Sequence, residues 1–325
     1  MILVMMQVTY CVAKHDATTG SEMMLPTLSS SLFALNEYVQ SELVGYKLPL
    51  LEDTTLDDLH PVLSLTLEHV HVLDRILDFQ VPPAFQTQYH KDVMVPRLGS
   101  HRVMAVKIAA SALKTDCPCV SEVFAETKIV EKAVRLSLQF PSCSMLHAQC
   151  LDMARVAVSP HSIRVGLWKQ LVSCRDVWES IGNILQSLPS SDAHRNASAV
   201  SGMLAGFCIE FVRLLRHQRD IEIPPSSPSS TSSSDDDREC QKETALAVKC
   251  SQEELKSALE TMPGWDHIIL SIEPLLHIQE QQLGGSPPPR MNAVDSFNDS
   301  MNFTGPQLLA LLQGLNLSSA QSSLP

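Results

Sequence analysis

Apolar positions recur at three- and four-residue spacing from residue 57 onward, and the runs they form are separated by prolines. Behind Pro61, placed where a first helical turn accepts proline, Leu63, Leu67, Val70, Leu73, Ile76 and Leu77 line one face of a helix. Pro82 and Pro83 end it, and a polar loop from Gln86 to Lys91 leads to Pro96. The next helix starts near Ser100, read as an N-cap after Gly99, and carries Val103, Val106, Ile108, Ala109, Ala112 and Leu113. Cys117-Pro118-Cys119 breaks the pattern. Helices are then expected over 120–125, 129–139, 145–158, 162–173, 175–188 and 199–218, with Pro141, Pro160 and Pro189 between them.

Successive apolar-faced helices joined by short loops predict an all-α chain. HEAT- or armadillo-like stacked repeats are the natural architecture, because one helix pair buries its apolar face only against its neighbours. A bundle closed around one core is the alternative, since no repeat has a sharp period. Residues 1–55 read as an amino-terminal segment, either an incomplete repeat or a cap, and 56–222 as the helical-repeat domain. The segment 223–251 reads as a disordered linker: Pro224-Pro225-Ser226-Ser227-Pro228, a serine run and Asp235-Asp236-Asp237 offer little apolar area to offset ordering entropy. Ser232, Ser233 and Ser234, just before the acidic run, suit an acid-directed kinase, but a plain solvated linker is weighed well above that reading. A carboxy-terminal helical module is expected over 252–286, broken at Pro263-Gly264 and Pro274. Over 287–325 a flexible tail follows, whose short amphipathic piece, Gln307 to Leu315, suits a partner groove or a fold-back.

Composition narrows the function. Hydrophobic residues make up 44% of the 325 but aromatics only 5%, so the core is aliphatic and favours helix over a β-sandwich. The formal net charge is -12 and the basic residues are scattered, which excludes the clustered positive charge that nucleic acids and anionic membranes require. Nine cysteines at irregular spacing do not form a disulfide framework and point to a reducing compartment. The apolar start, Met1 to Met6, has no basic region before it and is too short to span a bilayer; it reads as a buried helix or strand end.

Chemistry is sparse. His69 and His71 stand two apart on a predicted helix and face different ways. Cys143, His147 and Cys150 share a face but supply three ligands on a stripe needed for packing, so buried thiols are weighed above zinc. Cys117 and Cys119 have one residue between them and no second pair at zinc-ribbon spacing. No Gly-x-Ser-x-Gly, Walker, Gly-x-Gly-x-x-Gly or His-Glu-x-x-His motif occurs, so no catalytic, cofactor-binding or metal residue is assigned.

Three stretches together resemble the SAPS-domain family, regulatory subunits of Sit-four-type, or protein phosphatase six-type, Ser/Thr phosphatases. The first is Val95-Pro96-Arg97-Leu98-Gly99-Ser100-His101-Arg102, similar to the family's Leu-Gly-x-x-Arg entry into an apolar helix. The second is Met145-Leu146-His147-Ala148-Gln149-Cys150, similar to the Asn-Asn-Phe-Leu-His-x-Gln-Val box in Leu146, His147 and Gln149 but with Ser142-Cys143-Ser144 where the asparagines belong. The third is Trp265, its helix, and Leu283-Gly284-Gly285 with Pro287, similar to a Trp helix running into Leu-Gly-Gly-x-x-Pro. The family's Gly-His-Leu-Thr box is replaced by Ser201-Gly202-Met203-Leu204-Ala205. The match spans roughly Pro82 to Pro287, the later part of a SAPS domain, and describes a divergent member lacking the amino-terminal part.

The resemblance implies a non-catalytic, cytoplasmic and also nuclear scaffold. It would bind a Ser/Thr phosphatase catalytic subunit, together with further scaffold or substrate proteins, and direct the phosphatase to substrates. Any metal would then belong to the catalytic partner. Leu98, Gly99, Arg102, Leu146, His147, Gln149 and Trp265 are its candidate residues, for partner binding or for repeat packing. A trafficking or transport adaptor on the same fold, and an enzyme whose site forms only in three dimensions, are the rival readings; the latter requires a deep polar pocket.

Overall fold

The computed structural model describes residues 2–17, 24–43, 59–81, 87–89, 93–95, 97–187, 199–220 and 235–280. The Ser232–Ser234 run of the expected linker, the Leu283-Gly284-Gly285 stretch and the tail with its Gln307–Leu315 piece lie outside them. The described residues form fourteen helices and one small hairpin, an all-α protein. Met1–Leu276 is one compact unit.

Two helices come first: α1 (Ile2–Ala17) and α2 (Met24–Leu43). They pack on each other, and α2 lies against the later helix α5. Met5, Val8, Cys11 and Val12 bury one face of α1 against this layer, while Leu28, Leu32, Leu35 and Val39 do the same for α2.

The long helix expected after Pro61 is two short ones, α3 (Pro61–Glu68) and α4 (Val70–Ile76). His60 caps α3, its Nδ1 accepting the Val62 N–H at 3.3 Å, and Pro61 sits in the first turn. The break falls at His69, so His69 and His71 do not share a continuous helix. Within the expected polar loop a hairpin forms: β1 (Thr87–Tyr89) pairs antiparallel with β2 (Val93–Val95), Gln88 facing Met94.

Next come α5 (Ser100–Leu113), α6 (Pro118–Ala125), α7 (Ile129–Gln139) and α8 (Ser144–Ala157). They are followed by α9 (Pro160–Val165), α10 (Lys169–Val172), α11 (Arg175–Gln186) and α12 (Ala199–Asp220). The helix expected over 162–173 is split because Gly166, at φ +79°, ends α9 in the left-handed conformation. Ser159 caps α9, accepting from Ser162 N at 3.4 Å and donating to Asp116 Oδ1 at 2.8 Å. A packing spine runs α2–α5–α8–α12–α11. Lys132 ties α7 back to α4: its ammonium donates to Asp74 Oδ2 at 3.0 Å and to Asp78 Oδ2 at 2.8 Å. Burial alone would pull the Lys132 pKa down, yet these two carboxylates hold it above the ordinary value.

The largest departure from the expected organisation is α13 (Asp235–Thr261), which occupies residues 235–251 of the expected disordered linker. Three aspartates open this helix, where the N-terminal dipole favours negative charge, and Ala, Leu, Glu, Lys and Gln fill its later turns. Leu255 and Leu259 are buried, and α13 packs on α9, α10 and α12, so it belongs to the main unit. Gly264, at φ +84°, turns the chain into α14 (Trp265–Glu280), which contains Pro274 rather than stopping at it.

Candidate functional site

The entry to α5 shows why the first stretch has its residue types. Gly99, not Ser100, is the N-cap, at φ +83°. A Cβ there would stand 2.8 Å from His101 Nδ1 and 2.8 Å from Val81 Cγ2, so the position excludes a side chain on two grounds. Leu98 is buried beside it. Arg102 folds back over the turn, donating through Nε to Leu98 O and through Nη2 to Arg97 O at 3.0 Å. Burial lowers the Arg102 pKa to about 10, which leaves it charged at neutral pH. His101, also buried, donates from Nε2 to Phe79 O at 3.0 Å and ties α5 to the end of α4.

Phe140, at the end of α7, receives the Arg102 guanidinium over its ring at 5.1 Å. The same turn is held from α8, where His147 Nε2 donates to Ser137 O at 3.1 Å. The His147 ring stacks on Phe207 of α12 at 4.9 Å, and Phe207 on Phe211 at 5.8 Å. Phe211 then meets Trp178 of α11 at 5.7 Å, and Trp178 meets Trp265 edge-on at 5.7 Å. One residue from each family-like stretch, Arg102, His147 and Trp265, therefore lies on one packing path: Arg102 over the Phe140 ring, His147 on the Ser137 carbonyl of the same turn, then ring to ring from His147 through Phe207, Phe211 and Trp178 to Trp265. It crosses α5, α7, α8, α12, α11 and α14.

Of the seven candidate residues, Leu98, Arg102, Leu146, His147 and Trp265 are buried, and Gly99 and Gln149 are partly buried. The structure gives the residues of this path packing roles, tying a turn or bridging two helices. Sequence reasoning missed Phe140, Phe207, Phe211 and Trp178, because an aromatic on an apolar face carries no mark of which distant ring it meets. It also missed Gln170, whose Nε2 donates to Phe124 O at 2.8 Å and whose Oε1 accepts from Val130 N at 3.2 Å. This amide bridges the α6–α7 turn.

The buried thiols, Cys11, Cys117, Cys150, Cys174 and Cys208, are packing groups. Burial pushes Cys150 and Cys208 up to about 12, and Cys119 to about 12 by burial and then by its neighbour Cys117, 3.0 Å away sulfur to sulfur. Among the described residues no three His, Cys, Asp or Glu side chains form a metal-sized group. Two shallow clefts open on the surface. One of about 440 Å³ lies beside Gly99, between Leu25, Pro26, Ser29 and Arg97. Another of about 410 Å³ lies between α11 and the start of α14, edged by Asn183, Gln186 and His267. Among the described residues no helix is long and apolar enough to cross a membrane.

No protein-family model, curated protein or solved structure matches the chain.

His147 also makes a pH prediction. Burial lowers its pKa below the usual 6.5, against the upward pull of the Ser137 and Phe140 carbonyls. The unfolded chain thus binds a proton that the folded chain resists, so this contribution to stability is complete above about pH 7.5 and falls as pH drops through 6.5. Thermal denaturation of the parent chain is expected to show a midpoint that declines from about pH 7.5 to about 5.5. In His147→Gln the midpoint should be lower at pH 7.5 and decline less steeply. Equal slopes in the two proteins would remove His147 as the source.

Proposed function

We propose that the chain is a non-catalytic regulatory and scaffolding subunit, related to the SAPS-domain proteins. In this reading it binds a protein phosphatase six-type Ser/Thr phosphatase catalytic subunit and directs it to substrates in the cytoplasm and nucleus. The single observation that carries the reading is the ordered recurrence of the three SAPS-like stretches. The burial of Arg102, His147 and Trp265, one residue from each stretch, supports it: residues that fix how helices meet persist when surface residues drift. The proposed architecture is HEAT- or armadillo-like. The spine α2–α5–α8–α12–α11, each helix against the next, supports layered stacking over a closed bundle.

On this reading the chain transfers and hydrolyses nothing, and the packing path sets the curvature of a surface on which the catalytic subunit rests. The two clefts are shallow features of that surface rather than enclosed reaction chambers. Phosphatase chemistry, with any metal it needs, is the partner's. The test is direct binding of the purified full chain, its helicity verified by circular dichroism, to a purified phosphatase six-type catalytic subunit by biolayer interferometry. Saturable binding at or below about 1 µM is expected, the range of a stable regulatory contact. Folded chain that shows no binding at tenfold higher concentration, and that instead recovers coat or transport components from its own cells, would assign it to the adaptor class.

A further inference from the structure

Cys117 and Cys119 flank Pro118 at the turn from α5 into α6. Cys117 packs against the core and Cys119 is partly exposed, yet their sulfurs lie 3.0 Å apart. Two positions apart on a helix, side chains face different ways. Here Cys117 is the extended N-cap residue, at φ -85° and ψ 131°, which turns its sulfur back toward Cys119 in the first turn of α6. The spacing of the two Cα atoms is set by Pro118, which is helical. For residues two apart in an α-helix it is about 5.4 Å, inside the range of roughly 4.4–6.8 Å that a disulfide spans.

The turn that presents the two thiols is held from both sides. Asp116, immediately before them, is the one non-glycine residue at positive φ among the described residues, at +50°. Its N–H donates to Leu113 O at 2.9 Å and its Oδ1 accepts from Ser159 Oγ at 2.8 Å, which fixes it between the end of α5 and the start of α9. Just beyond, Cys117 O accepts the Ser121 N–H at 3.1 Å, and the buried Ser121 and Ser162 hydroxyls bond to each other at 2.6 Å. A backbone fixed on either side of two thiols spares them much of the ordering entropy that closing a ring costs a free chain.

We propose that Cys117 and Cys119 are a reversible dithiol–disulfide couple that exchanges with small disulfides of the glutathione class. Cys119, the more exposed, reacts first. Its thiolate attacks one sulfur of oxidised glutathione, the glutathione S–S bond breaks, and one glutathione thiolate leaves. The Cys117 thiolate then attacks Cys119 Sγ in this mixed disulfide, and the second glutathione thiolate leaves. The protons given up by the two cysteines end on the two glutathiones, so the cysteines are oxidised and one glutathione disulfide is reduced. Burial, and then the neighbouring sulfur, keep Cys119 protonated at neutral pH, so exchange is slow, on the order of hours. In a reducing compartment the pair rests as thiols, and it closes as the glutathione pool becomes oxidised.

The test equilibrates the full chain in a series of reduced and oxidised glutathione buffers, quenches it in acid, and blocks the remaining thiols in denaturant with N-ethylmaleimide. Trypsin then releases residues 115–128, which carry Cys117 and Cys119 and no other cysteine. The mass of this peptide separates the blocked dithiol, the mixed disulfide and the closed disulfide. Closure is expected with little mixed disulfide, and with an equilibrium constant at least about tenfold above that of a synthetic peptide of residues 115–128. Cys117→Ser, whose hydroxyl is itself a favoured N-cap group, should instead accumulate glutathione on Cys119 with the helical circular dichroism unchanged. A dithiol that stays open across the whole series, or a constant no higher than the peptide's, would overturn the proposal. So would a folded Cys117→Ser chain that takes up no glutathione at Cys119.

Discussion

Trp265→Ala is expected to cost about 3–5 kcal/mol, the usual price of removing a fully buried aromatic from a core. Trp265 is 1% exposed, opens α14 directly after the Gly264 turn, and meets Trp178 edge-on. Its loss leaves a cavity between α11 and α14 and takes the end partner from the run of rings. Trp178 is itself anchored by donation from Nε1 to Leu171 O at 3.0 Å, so it is not free to move into the space. Chemical denaturation followed by tryptophan fluorescence measures the effect, and Trp265→Phe should recover about half of it. A cost below about 1 kcal/mol for Trp265→Ala would mean that α14 does not hold α11 in place.

Gly99→Val is the second large effect, expected at about 3 kcal/mol or more. The positive-φ backbone, φ +83° with ψ +134°, alone costs a non-glycine residue about 1–3 kcal/mol, and overpacking against His101 and Val81 adds about 1–3. The damage should spread. Moving the turn draws the Leu98 and Arg97 carbonyls away from Arg102, which leaves a buried guanidinium without two of its acceptors. Differential scanning calorimetry should find the midpoint well below that of the parent chain. Gly206→Ala is the control: a Cβ there meets nothing within 4 Å, and the helical position gains from the change. Equal losses in both variants would show generic glycine intolerance rather than a constraint of the α5 entry.

The helical class was legible because periodicity and punctuation are local signals. Pro61 stands in the first turn of a helix as expected, and Pro118 and Pro160, read as breaks, open the helices that follow them; Ser159 and Gly166, which bound α9, were passed over by the helix expected across 162–173. Where the expectations failed, a longer-range effect prevailed. The break at His69 has no glycine or proline to announce it. The disordered reading of 235–251 followed from the polar composition upstream, but Leu255 and Leu259 bury the same helix against α9, α10 and α12, and packing extends it backward over residues that a window of composition assigns to solvent.

The candidate residues divide in the same way. Gly99 and Arg102 were identifiable as a turn and its neighbour, since a glycine before an apolar helix and an arginine just inside it are visible in the chain. That Arg102 reaches its own preceding carbonyls and a ring 38 positions later is a fact of tertiary geometry. His147 stood out as a polar residue on an apolar stripe, yet nothing near it specifies Phe207. By itself, then, the sequence determined a chain of helices, most of their ends, and the three stretches that resemble a family, because hydrogen-bond periodicity and backbone sterics act within a few residues. Only the tertiary structure decided that Arg102, His147 and Trp265 lie on one packing path, that α13 is part of the core, and that α1 keeps exposed apolar residues beside its buried face. Which surfaces touch depends on the shapes of side chains far apart in sequence, and shape complementarity leaves no periodic trace in the chain.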